Sequence, residues 1–390
     1  MIYKFMVLAD LHWGAMDPIL TYDNLKLVTD FIKEMRGEID FVVIAGDYFD
    51  YRIQLNSKTS IYAVKWFEDL MDTCRKNGVR KVRMFKGTRE HDNDQLEVFR
   101  PAYEDDTGYF RLYNETTSER LFHDLKVVFC PDENINLIDY NETKWNQFVP
   151  FCDLGFFHGN FDTILPRIEY ERIQSGKLPI MVYEYERFAK LIRGPLISGH
   201  WHVATEDRSL YYVGSFDRWK FGEEEPKGFI YGCYNTETSE YFIHRIINEN
   251  ARIYRTLILT DDEYKGPADF AQAYDQIKNL LANDSMMQLR VVFIMSKNDP
   301  DLLEAFNVFQ KHFSSSRQVK MEVKNLQKRE EKKLKKKIAE TTSKQISFIF
   351  DKDVRSVPKI IHQFLADWKG VEIPLEKIEK YVNKYLDFNR

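Results

Sequence analysis

His12, His91, His158, His200 and His202, five of the nine histidines in this 390-residue chain, fall just after short apolar runs or in the loops adjoining them. Two of them come with aspartates: His12 in Asp10-Leu11-His12, and His91 in Glu90-His91-Asp92, with Asp47-Tyr48-Phe49-Asp50 on the loop ahead of it. Imidazole mixed with carboxylate suits Mn, Fe or Zn, whereas an all-oxygen set suits Mg or Ca. A carboxylate such as Asp47 can bridge two ions about 3.5–4 Å apart, a spacing that polarises a phosphate and activates a water. In an extended segment Asp10 and His12 project to one side, as do His200 and His202, because side chains alternate with period two. The glycines before Asp47 and His200 allow sharp turns and close backbone approach. A lone D-x-H or H-x-H pair arises by chance, and a lone histidine is commonly a satisfied core residue. Five in order, each after an apolar run, make a specific signal. His123, His244, His312 and His362 lack such company and read as surface or core residues.

The spacing predicts the elements that must position these groups. Residues 3–9, 41–46 and 82–85 read as strands, with helices over 22–36 and 58–76. That β-α-β-α-β order implies a parallel sheet covered by helices. Strand ends at one edge of such a sheet converge in space. Short strands follow at 126–130, 153–157, 195–198, 210–213, 228–234 and 240–246. The expected fold class is α/β, a two-sheet β-sandwich flanked by helices across residues 1–250. Residues 251–316 read as a small separate α+β domain, with strands at 257–260 and 289–295 and helices at 267–282 and 299–313. Residues 317–344 read as a basic linker, ending its charged run in QKREEKKLKKK. In 345–390 apolar residues recur at helical spacing on two short segments around Pro374, helices that need something to dock on.

Composition narrows the class. Hydrophobic residues make up 44% and charged residues 30%, which excludes a disordered chain. Four cysteines without a C-x-x-C pair exclude a disulfide framework and a thiolate zinc site. No run approaches the ~18 apolar residues of a membrane span, and the first apolar run is broken at Asp10, too soon for a secretory signal. A cytoplasmic location is the expectation. The net charge of −5 is unevenly spread: residues 317–390 carry 19 Lys+Arg against 11 Asp+Glu, leaving an acidic body of charge −13. An acidic body is by itself a poor DNA surface, because affinity comes mainly from Lys and Arg at phosphates.

At these residues the sequence resembles the calcineurin-like metallophosphoesterases, and within them the SbcD-type nuclease subunit of DNA double-strand-break repair. The specific run is Tyr212-Val213-Gly214-Ser215-Phe216-Asp217-Arg218-Trp219, then Phe221-Gly222-Glu223 and Lys227-Gly228-Phe229. It resembles the nuclease family's G-S-x-x-R, F-G-E and K-G-F. The resemblance implies two divalent ions, Mn2+ by expectation, with Asp10, His12, Asp47 and His202 on one and Asp47, His158 and His200 on the other. His91 matches the catalytic histidine, Asp92 the acidic residue that orients it, and Arg218 is expected to touch substrate. The family's G-N-H-[DE] is lengthened here to Gly87-Thr88-Arg89-Glu90-His91-Asp92. Glu90 is therefore the expected replacement for the missing Asn ligand, with Thr88 the other residue in reach. The longer loop fits a phage-encoded member. The implied activity is exonuclease on duplex ends and endonuclease on single strands. The implied partners are DNA, an SbcC-type coiled-coil ATPase held by 345–390, and a second copy of the chain, for which the helix at 58–76 is a candidate face. Residues 251–316 resemble the family's capping domain, and 317–337 would add phosphate contacts. A phosphatase, a cyclic-nucleotide phosphodiesterase, or a scaffold of the same fold are the alternatives.

Overall fold

The computed structural model describes residues 1–132, 146–148, 151–165, 182–260, 263, 266–283, 287–295, 300–314, 316, 318–325 and 376. The expected docking helices of 345–390 and the lysine-rich run at 328–337 lie outside the described residues, Glu376 apart. Two compact units result, one built on Met1–Arg255 and the other on Thr256–Asn283 and residues from Arg290 onward.

In the first unit the chain runs β1 (Ile2–Leu8), α1 (Pro18–Glu34), β2 (Phe41–Ala45), α2 (Lys58–Lys76), β3 (Lys81–Phe85), β4 (Phe110–Tyr113), β5 (Thr117–Phe122), β6 (Leu125–Cys130) and β7 (Leu154–His158). It continues through β8 (Asn160–Phe161), β9 (Val182–Tyr183), β10 (Leu196–Gly199), β11 (Thr205–Asp207), β12 (Leu210–Tyr212), β13 (Gly228–Asn235) and β14 (Tyr241–Ile247). One six-stranded sheet has the order β14-β13-β1-β2-β3-β4 and the other β11-β12-β10-β7-β6-β5. β1 to β4 are parallel, and β13 returns antiparallel on β1. This is the α/β two-sheet sandwich with helices outside.

Period-two alternation sorts the core. Phe5, Val7, Phe41, Val43 and Phe85 face the second sheet, where they meet Val127, Phe129, Leu154 and Phe156. Met6, Leu8, Val42, Ile44, Val82 and Met84 point the other way, onto Leu25, Val28, Ile32, Trp66, Phe67 and Leu70 of α1 and α2. Phe5 stacks on Phe41 at 5.4 Å and meets Phe156 edge-on at 6.0 Å. Each such buried ring stabilises the sandwich by about 1.5–3 kcal/mol over an exposed one. Arg83 of β3, fully buried, crosses to Glu119 of β5 in a two-pronged ion pair (2.6 and 2.7 Å) that links the sheets.

α1 begins four residues before the expected start at 22. Asp17 accepts hydrogen bonds from the Ile19 and Leu20 amides, and Pro18 sits at the first helical position, where its missing N–H costs nothing. α2 occupies the expected 58–76; its outward residues are mainly charged, with Lys65, Glu68, Asp72 and Arg75 exposed beside Ile61.

The second unit holds a three-stranded sheet, β15-β16-β17 (Tyr254–Thr260, Gln288–Met295, Val319–Asn325), with helices Pro267–Asn283 and Pro300–Phe313. Ile277, Val291, Phe293, Leu302 and Phe309 are buried in it. β17 corrects the linker expected from 317: Val319, Met321 and Val323 alternate with Lys320, Glu322 and Lys324, a strand's period that the charge count concealed. Among the described residues no helix is long and apolar enough to cross a membrane.

Candidate metal centre

The loops leaving β1 and β2 run side by side and are stitched together. Asp10 N–H donates to Gly46 O (3.1 Å), His12 N–H to Asp47 O (3.0 Å), Trp13 N–H to Tyr48 O (2.8 Å) and Asp50 N–H to Trp13 O (3.0 Å). Asp10, His12, Asp47 and His200 all lie at positive φ, of 51, 46, 48 and 81°. The expected extended D-x-H geometry is therefore corrected. β1 ends at Leu8, and a left-handed backbone, not strand alternation, aims Asp10 and His12. Asp and His tolerate this region better than most residues, at a strain of order 1–3 kcal/mol each. Gly46 has φ 79°, and at Gly87 an added Cβ would lie 2.9 Å from Asp47 Cα and closer still to its amide and carboxylate. Only glycine lets the β3 loop approach Asp47 that closely.

Three overlapping groups of donor atoms gather there, each within 4.8 Å: Asp10, His12 and His202; His12, Asp47 and His91; and Asp47, His158 and His200. Any of these groups could hold a metal ion, and Asp47 belongs to two of them. Its Oδ1 accepts from Thr88 N–H (2.6 Å) and Oγ1–H (2.9 Å). Its Oδ2 lies 3.2 Å from His158 Nε2 and 4.0 Å from His91 Nε2. Asp10 accepts from His200 N–H at 3.0 and 3.1 Å and stands 4.0 Å from His202 Nε2. His12 Nε2 faces His202 Nε2 across 2.9 Å.

The donor set fits a cation. His158 Nδ1–H is assigned to Ala45 O (2.8 Å) and His202 Nδ1–H to Glu223 Oε1 (3.0 Å). Both rings then turn Nε2 inward, one onto the Asp47 carboxylate and the other onto His12 Nε2. His158 Nε2 and His12 Nδ1 are buried without a hydrogen-bond partner among the described residues, although His12 Nδ1 comes within 3.2 Å of Asp50 Oδ1. Lone pairs facing carboxylates repel unless positive charge lies between them. Burial alone would lower the His158 basicity, yet the adjacent Asp47 charge outweighs it and holds it well up. Burial would raise Asp47, and the charge of His158, followed by His12 and His91, keeps it well below the usual carboxylate range. His200 is pushed down by burial and then by the His158 charge. A bound divalent ion meets the same demand for positive charge.

Not every expected residue arrives. Glu90 is exposed in the turn and belongs to none of the three groups. The extra residues let Thr88, next to Gly87, take the place against Asp47 and send Glu90 outward. Asp92 does not turn toward His91. It is buried and accepts from Phe49 N–H (3.0 Å) and Gly87 N–H (2.7 Å), clasping the β2 and β3 loops; burial and then the Asp47 charge push it up to about 7. His91 Nδ1 is held instead by the Asp50 carbonyl. Arg218 is committed to four backbone carbonyls, those of Ala251, Arg252, Glu224 and Glu225, at 2.9–3.4 Å, because its planar fork fits a tight loop.

Thr88, expected beside Glu90 as a stand-in for the missing Asn ligand, donates to Asp47 instead, and Asn160 and Glu223 had no expected role. Asn160 Nδ2 lies 3.1 Å from His200 Nε2. Glu223 was visible only as part of the F-G-E run, and no local spacing says that it returns to His202.

Residues 3–227 match the calcineurin-like phosphoesterase family, more than half of the chain, and the protein belongs to that family. It is on that basis a phosphoesterase, a metal-dependent hydrolase with clustered Asp and His donors. No curated protein matches the chain.

Proposed function

We propose that the protein is a manganese-dependent DNA nuclease of the SbcD type, an exonuclease on duplex ends and an endonuclease on single strands, working beside an SbcC-type ATPase in double-strand-break repair. One observation carries this choice within the family. The run that resembles the nuclease motif includes Glu223, whose carboxylate meets His202, so the motif is joined to the candidate metal centre. In this reading Asp10, His12, Asp47 and His202 hold one divalent ion, and Asp47, His158 and His200 the second. Bound together, the two ions supply Lewis acidity at phosphorus and an activated water. Thr88 fixes Asp47 so that one carboxylate serves both sides. His91, its Nδ1 held by Asp50 O and its Nε2 4.0 Å from Asp47 Oδ2, would pass a proton to the departing oxygen in this reading.

The α+β unit at 251–316 takes the capping, DNA-selecting role, and the basic run up to 337 contacts phosphates. Residues 345–390 bind the ATPase, and the chain works as a homodimer. Because Val319–Asn325 is a strand, the phosphate role is tested by replacing the lysines of 328–337 with glutamine, which should flatten the salt dependence of DNA binding. A chain ending near residue 340 should lose the ATPase.

The deciding experiment is His91→Asn assayed on linear duplex DNA with manganese, alongside manganese stoichiometry. Cleavage should fall by about 10²–10⁴ with metal uptake retained. Unchanged cleavage overturns the role of His91. Hydrolysis of small phosphoesters with none of DNA would make the wild-type protein a phosphatase or cyclic-nucleotide phosphodiesterase, and absence of metal uptake would make it a scaffold.

A further inference from the structure

Glu223 lies 21 residues beyond His202, on the loop between β12 and β13. Its two oxygens are divided. Oε1 accepts from His202 Nδ1 at 3.0 Å, and Oε2 accepts from Trp219 N–H at 2.9 Å. Lys227, 1% exposed, closes the arrangement: Nζ donates to His202 O (2.9 Å) and stands 3.5 Å from Glu223 Oε2. Glu223 is itself 5% exposed, so these contacts replace water rather than compete with it.

We infer that Glu223 is a positioning residue that selects the His202 tautomer with Nδ1–H and Nε2 free, so that Nε2 can serve the Asp10–His12 side of the centre, and that Lys227 holds Glu223 in place. An imidazole has two tautomers, and the partner of one nitrogen decides what the other can do. A carboxylate only accepts, so it satisfies His202 Nδ1–H and Trp219 N–H together. A glutamine of the same shape has one acceptor and one donor. If its oxygen takes the Trp219 amide, its NH2 faces His202 Nδ1, which must then surrender its proton; the hydrogen moves to Nε2, where it blocks the lone pair. If its oxygen takes His202, two donors collide at Trp219. Glu223→Gln is therefore conservative in volume and disruptive in hydrogen-bond sense. Nothing in this requires Glu223 to touch substrate.

This inference rests on the proposed metal role of His202, and the experiment separates the two. Manganese titration calorimetry of the full chain is run on wild type and Glu223→Gln, with melting of both in chelator. In parallel, nitrogen-15 histidine spectra of the metal-free proteins at mildly alkaline pH report the His202 tautomer. Wild type should take up two ions per chain. Glu223→Gln should bind one of them about 10–100-fold more weakly, shift His202 toward the Nε2–H form, and still melt cooperatively in chelator, below wild type because Lys227 loses its counter-charge. A loop with a purely structural role would lower the melting point without moving the tautomer. Two wild-type-like binding events in Glu223→Gln, or an unchanged tautomer, would overturn the inference while leaving the metal reading intact. A wild-type chain that takes up no manganese would remove both. If Glu223→Gln does not fold, Lys227→Met replaces it: the tautomer should be kept and affinity should fall by a smaller factor, and unchanged affinity there counts against the inference.

Discussion

Replacing Asp47 by asparagine should abolish the response to manganese while leaving the metal-free protein at least as stable as wild type. Asp47 sits at φ 48°, a conformation that asparagine adopts as readily as aspartate. Its Oδ1 is taken by Thr88, a role the amide oxygen keeps, and its Oδ2 faces His158 Nε2 at 3.2 Å, where an amide NH2 can donate to the lone pair. The hydrogen bonds survive and a buried charge disappears. His158 then loses the neighbour that keeps it protonated and becomes neutral, so no uncompensated ion is left inside. Substitutions that remove a buried ion pair cleanly are often neutral or stabilising. The effect on metal runs the other way, because Asp47 belongs to two of the three donor groups and is, in the proposed reading, the ligand common to both ions. An ion bound only by the native state at a hundred times its dissociation constant contributes about 2.7 kcal/mol. At about 2–4 °C per kcal/mol for a unit of this size, each saturated ion should raise the wild-type melting point by about 5–11 °C. Differential scanning calorimetry with and without manganese measures both numbers, and the variant should show almost none of the shift. A variant that keeps the full shift would refute the shared-ligand geometry, and one that melts far below metal-free wild type would refute the charge argument.

Other consequences follow from particular contacts. Gly87→Ala puts a Cβ against Asp47 backbone that cannot recede, so urea unfolding should show a loss of at least about 1–3 kcal/mol together with weakened manganese binding. Phe156→Ala empties the space between the sheets beside Phe5 and Phe129 and should cost about 3–5 kcal/mol by the same measurement. Burial would raise Glu119, but the bond to Arg83 holds its carboxyl below the ordinary value. A depressed carboxyl contributes stability that is complete above the ordinary Glu pKa of about 4.3 and is lost as pH falls through the lower native value. Glu119→Ala should therefore cost about 3–5 kcal/mol near neutral pH, where it strands the buried Arg83, and less once wild-type Glu119 is itself protonated. An equal penalty at about pH 3 and about pH 7 would mean the charge contributes nothing.

Much of the site was legible in one dimension. Asp10, His12, Asp47, His158, His200 and His202 were readable because apolar runs mark strands, and parallel strands deliver their C-terminal ends to one edge. The sandwich was readable for the same reason, since alternation sorted Phe5 and Val7 from Met6 and Leu8. The basic character of 317–325 misled, because charge speaks of solvent and the period of Val319, Met321 and Val323 speaks of a strand.

What the tertiary structure alone decided is direction and partnership. The two carboxylates Glu90 and Asp92 point away from the ligand cluster or into a clasp depending on a loop's φ and ψ, which local sequence constrains weakly when glycine and left-handed residues are involved. Arg218 looked like a hand for phosphate and is consumed by four carbonyls that only folding assembles. The bond from Glu223 to His202, and the Asp50 carbonyl behind His91, join positions far apart along the chain or on different loops. Such pairs leave no periodic trace, because a hydrogen bond is set by where two atoms end up and not by how many residues separate them.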